Sequence, residues 1–151
     1  MNVNEAGSGD EMFNAYLMAG LAMVFWGIAP IFGKLGLGEM QPLVALTIRS
    51  LVISVILLIT MTVSGQWGNI AEVTAKDTTY IVLEGICAAL LGQLAYYYAL
   101  KLGEVGRVSP IVAAFPLVAL LLGIVFLGEK VTFYKVVAAF LITSGIVLLK
   151  Y

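Results

Sequence analysis

Two ionisable side chains, Arg49 and Glu84, lie inside long apolar stretches of this 151-residue chain. Charges so placed are functional candidates by default, because they mark ion pathways, proton relays and counter-ions. Their insertion is affordable. A charge at a helix centre costs about 2.5–3.5 kcal/mol, while each Leu or Ile returns about 0.5 kcal/mol. Survival in an apolar segment therefore assigns no role, and snorkelling of Glu84 to an interface stands as the alternative reading. Gln93, Tyr96 and Tyr97 follow at helical spacings of three and four, and Trp26 lies well inside the first apolar stretch. An amide beside aromatic rings suits an amphipathic or cationic organic solute, held by stacking and cation–π contact. Interfacial anchoring is the competing reading for Tyr97 and Tyr98. Ser109 adds a hydroxyl near the start of a later stretch.

This chemistry is recognition, not bond making. The chain has no histidine, and its lone cysteine, Cys87, is flanked by apolar residues. The commonest catalytic base and metal ligand are thus missing, and no disulfide framework or cysteine metal site can form. No nucleophile–base constellation is visible, so the expectation is a non-enzyme with no cofactor and no metal. A net charge of −1 without a basic cluster argues against nucleic acid as a partner.

The elements that must hold these side chains are membrane helices. Hydrophobic residues make up 62% of the chain and charged residues 11%, with a mean hydropathy of +1.05; a soluble domain has neither property. A span needs about 20 apolar residues to cross a core of about 30 Å. Five stretches qualify, at roughly 13–34, 43–64, 78–101, 107–127 and 131–150. Between them lie Gly38 and Pro42, then Gly65, Gly68 and Asn69, then Gly103 and Gly106, then Gly128, the breakers expected at helix ends. The runs are apolar all round, unlike the alternating strands of a barrel. The expected fold is an all-α integral membrane bundle of five helices. Residues 1–12 are polar and acidic and are expected to form a disordered tail. They lack the positive region of a secretory signal, so the first stretch is read as a retained helix.

Gly20 with Gly27, and Gly85 with Ala89 and Gly92, read as packing seams. Among the prolines, Pro30 is read as a helix kink within the first stretch. Pro110 falls in the first turn of its expected helix, whereas Pro116 falls inside and frees the carbonyl of Val112, marking a kink beside a cavity or a tolerated one.

Lys and Arg in short loops set orientation. Lys76, Lys130 and Lys135 fall on one face; Lys34, Lys101, Arg107 and Lys150 fall on the other, with Arg49 near the same surface. So even a division fits insertion in both orientations and pairing with an inverted copy, or an orientation fixed by a partner. Depth supports the first option. Arg49 and Glu84 each lie about seven residues, roughly 10 Å, from helix ends on opposite faces. Within one protomer they differ in level by about 10 Å, and an inverted partner brings them level.

The run SPIVAAFPLVALLLGIVFLGEKVTFYKVVAAFLITSGIVLLK, preceded by AYYYALKLGEVGRV, resembles the closing half of an EamA domain of the drug/metabolite transporter superfamily. Its most specific elements are Tyr98-Ala99-Leu100, Pro116, the Leu127-Gly128-Glu129 turn with Thr132, and Leu141-Ile142 before Gly145. FWGIAPIFGKLGLGEMQPLVALTIRSLV resembles that family's first two helices, including Trp26-Gly27 and Arg49. Ala138 departs from the usual glycine. The resemblance covers roughly residues 13–150, and members usually carry two copies of the domain where this chain carries one. It implies half of a carrier built from inverted five-helix repeats, completed by dimerisation.

The resulting expectation is a multi-pass protein of the inner membrane, an antiparallel homodimer exporting small metabolites or drug-like solutes by alternating access. Trp26, Glu84, Gln93, Tyr96 and Ser109 are its candidate substrate-binding residues, with Arg49 as charge partner. If transport is proton-coupled, Glu84 is the carboxylate to carry it. The alternative is a non-transporting membrane scaffold within a larger complex.

Overall fold

The computed structural model describes the backbone of residues 3–149 and the side-chain surroundings of residues 11–149. Lys150, counted above among the surface cations, lies outside the described residues. Helix α1 runs Val3–Leu37, α2 Pro42–Ser64, and a single turn, α3, Trp67–Ile70. The third span joins α4 (Ala75–Glu84), a π-helical segment (Gly85–Gly92) and α5 (Gln93–Leu102). The fourth is divided into α6 (Val105–Val112) and α7 (Phe115–Leu127), and α8 (Phe133–Leu148) closes the chain. Among the described residues there is no strand, four helical stretches are long and apolar enough to span a membrane, and α8 is a shorter fifth.

Local sequence sets the ends. Gly65 and Gly128 both take φ 66°, the left-handed conformation that ends a helix with least strain in glycine. Thr74 and Thr132 cap α4 and α8 by accepting from the backbone N–H groups of Asp77 and Lys135. Pro42 opens α2, where its missing N–H costs nothing. Gly103 is held to glycine by space, since a Cβ there would stand 2.8 Å from Val108 Cγ2.

Helix α1 begins at Val3, within the residues expected as a polar tail. Two sequence expectations need correction. The two prolines of the fourth span exchange roles: α6 begins at Val105, so Pro110 is inside it, whereas Pro116 lies in the first turn of α7. The chain breaks at Ala113–Ala114 because Pro116 has no N–H to donate to the Val112 carbonyl and its ring crowds that group, while a proline suits a helix start. Gly20, Gly27 and Gly85 are not seams within this protomer, since a Cβ at any of them meets nothing within 4 Å.

Packing is concentrated at one end. Helix α5 lies against α1, α2 and α6, and α1 also meets α2 and α6. Leu37 at the end of α1, Leu46 near the start of α2 and Leu100 near the end of α5 are 1%, 3% and 0% exposed. Lys34 joins this closed end, its Nζ donating to the carbonyl oxygens of Leu100 at 2.6 Å and Gly103 at 2.8 Å. These are orphan acceptors at a helix C-terminus, where the dipole also favours a cation. Lys101 Nζ donates to Met40 O at 2.8 Å, tying α5 to the α1–α2 turn. Away from this end the helices carry broad exposed apolar faces, among them Phe126 on α7 and Phe140 on α8, a surface suited to lipid or to another helix bundle.

Candidate functional site

Above the closed end, α1, α2, the third span and α6 enclose a cavity of about 1300 Å³. Its floor is Leu100 and Tyr97. Much of its wall is made of small residues, including Ala22, Gly27, Ala88, Gly92 and Ala113. Of the residues that read as seams, Gly27 and Gly92 are among those that leave room for it. Residues of α7 beyond Phe115, and all of α8, stay outside the lining.

Trp26, Glu84, Gln93, Tyr96, Ser109 and Arg49 all line this one cavity. Pro30 lines it too and is buried, and as an interior proline it leaves the carbonyl of Trp26 without a helical donor. Pro116 stands just outside, while its neighbour Phe115 and the interior Pro110 face in. Gln93, Tyr96 and Ser109 are half-buried, whereas Trp26 is 70% exposed and Arg49 and Glu84 are also exposed. The wall is therefore incomplete on the side where the two charges and the indole sit.

One hydrogen bond organises the inner wall. Tyr96 Oη and Ser109 Oγ are 2.8 Å apart, linking α5 to α6 across the tight Gly103 turn. Tyr96 is held by this bond; Tyr97, also lining, packs by α1, with Cε1 3.9 Å from where a Cβ on Gly33 would stand.

The π-helical segment lies between Glu84 and Gln93 and turns those two side chains relative to each other. Its i→i+5 bonding widens each turn by a residue compared with an α-helix. The α-helical spacing that put Gly85, Ala89 and Gly92 on one face does not hold there. Gly92 suits this geometry, because a Cβ at that position would crowd Cys87 O at 3.0 Å. Sequence reasoning missed the segment; its faint signal is the pair of glycines, Gly85 and Gly92, that bound it.

Arg49 and Glu84 share the cavity but form no ion pair; the salt bridges among the described residues are Arg107–Glu104 and Lys135–Glu129. Counted from the closed end, Arg49 lies about 10 Å along α2 and Glu84 more than about 20 Å along the third span. Glu129 pairs with Lys135 at 2.7 Å and rests its carboxylate against Gly123.

Carriers place their substrates in cavities beside interrupted helices, and here the interrupted fourth span borders the cavity. Similarity to known proteins agrees. An uncharacterized transporter encoded in the cobO 3' region of a Sinorhizobium species is 29% identical over 129 residues, covering 85% of this chain and 91% of that one. An uncharacterized protein of Methanocaldococcus jannaschii is 30% identical over 141 residues, covering 91% of this chain and 97% of its own. No solved structure matches the chain. Residues 13–151 match the EamA-like transporter family, and this multi-pass membrane protein, with a π-helical segment in its third span and a break in its fourth beside one cavity, belongs to that family.

Proposed function

We propose that the chain is one half of a secondary-active exporter of small metabolites or drug-like organic solutes, working in the inner membrane as an antiparallel homodimer by alternating access. The observation that carries this reading is the cavity, closed at one end by Leu37, Leu46 and Leu100 and left incomplete where Trp26, Arg49 and Glu84 are exposed. A charge exposed at that depth needs protein or water beside it, not lipid. A second, inverted copy meets that need, since it brings a Glu84 level with each Arg49. The near balance of Lys and Arg between faces supports insertion in both orientations.

The lining indicates the solute. Trp26, Tyr96 and Tyr97 offer ring faces, Gln93 an amide, and Glu84 a carboxylate, a set that holds an amphipathic organic molecule carrying a donor or positive group. Glu84 is the group placed to exchange a proton against the solute. The fixed closed end and the broken fourth span supply a rigid part and a hinge.

A thermal-shift screen of purified protein against metabolites and cationic drugs tests the reading, followed by uptake of each hit into proteoliposomes under a proton gradient. Ligands of the cavity raise the unfolding temperature and are then transported. A scaffold subunit alone moves none of them, and that outcome contradicts the proposal.

A further inference from the structure

Beside the closed end lies a second, smaller cavity of about 120 Å³, separate from the large one and lined by Lys34, Leu37, Gly38 and Lys101. Two lysines border a space that small. Lys34 uses two of its three donors on Leu100 O and Gly103 O, and Lys101 uses one on Met40 O. Three N–H donors are left over. Among the described residues neither ammonium has a carboxylate within 4.0 Å: Glu39, beside Gly38 in sequence, forms no salt bridge with either, and Glu104 is paired with Arg107. Two like charges beside one pocket repel unless an anion lies between them.

Position selects the anion. The pocket lies where α1 and α5 end, and since both belong to stretches long and apolar enough to span a membrane, their ends fall near the headgroups. Leu35 and Leu102, each next in sequence to one of the lysines, are 75% and 87% exposed and give acyl chains an apolar surface. Basic pockets between membrane helices bind phosphate headgroups in this way. We propose that Lys34 and Lys101 form a seat for the phosphate of an anionic phospholipid, which pins the ends of α1 and α5 together and so holds the closed end shut.

The test uses the full chain, delipidated in a neutral detergent and titrated with phosphatidylglycerol, with phosphatidylcholine, or with inorganic phosphate alone, each followed by native mass spectrometry and thermal stability. Phosphatidylglycerol binds and stabilises, more weakly as salt rises. Lys101→Gln, which leaves the Lys34 contacts in place, weakens that binding about fivefold, the loss of one lysine near a lipid phosphate. Lys101→Arg retains most of it, and Lys130→Gln, outside the pocket, retains all of it. Should Lys101→Gln fail to fold, the salt dependence and the Arg variant still decide. Equal binding of phosphatidylcholine, unaltered binding in Lys101→Gln, or loss of binding in Lys130→Gln overturns the site. Equal protection by inorganic phosphate overturns the lipid as its occupant.

Discussion

The Tyr96 and Ser109 hydroxyls meet at 2.8 Å, and that bond ties the third span to the first half of the fourth within the cavity wall. Polar side-chain contacts between membrane helices average about 0.6 kcal/mol by double-mutant cycle. Tyr96→Phe and Ser109→Ala should each lower thermal stability slightly, and the double variant should lose less than the sum by about that amount. Strict additivity would mean the two hydroxyls do not interact. Both variants should also weaken any ligand detected by thermal shift, because an untethered Tyr96 ring turns more freely.

Lys34 should matter more to stability than any other lysine. Its ammonium caps α5 with two charge-assisted bonds, and hydrogen bonds to charged groups contribute about 1.5–3 kcal/mol each when a partly buried partner is left unsatisfied. Lys34→Met is expected to lower the unfolding temperature clearly, and Lys34→Arg to lower it less. Lys135→Ala should barely change it, because its partly exposed pair with Glu129 is of the kind worth about 0–1 kcal/mol. Thermal unfolding of the three purified variants checks the order.

What could be read from the sequence follows what the bilayer demands. Five apolar runs and their glycine and proline breaks specify five helices because backbone groups in lipid must bond within their own segment. The six candidate residues could be picked out because polar and aromatic side chains are conspicuous in apolar helices, and the structure gathers them around one cavity. Hydropathy is blind to internal helix geometry. It could not reveal that Gly85–Gly92 is wound as a π-helix, nor that the fourth span breaks before Phe115–Pro116, because both segments remain uniformly apolar. Lys34 was counted as a surface charge since a sequence does not show which carbonyls lie across a helix interface.

Gly92 tests the π-helical segment. Gly92→Ala places a Cβ 3.0 Å from Cys87 O and so favours return to α-helical bonding, which turns Gln93 and Tyr96 relative to Glu84. Transport should fall about tenfold or more while helix content by circular dichroism stays unchanged, since misplacing substrate-positioning groups by about 1 Å costs on the order of a hundredfold in an active site. Wild-type rates in Gly92→Ala would mean the segment has no functional part.

Glu84→Gln keeps size and hydrogen-bonding capacity but removes the titratable charge. The proposal expects uptake into proteoliposomes to lose its dependence on a proton gradient while the folded protein keeps its melting temperature. An unchanged dependence would return Glu84 to the role of a carboxylate snorkelling to the interface.

The central claim is that an inverted second copy completes the cavity and brings Arg49 level with Glu84. It is tested most directly by disulfide cross-linking between two differently tagged chains, one carrying Arg49→Cys and the other Glu84→Cys, both with Cys87→Ala. The inverted dimer predicts an efficient cross-link between the two chains, and little when both cysteines are in one chain diluted with cysteine-free partners. Efficient cross-linking within that single chain, with none between chains, would contradict it.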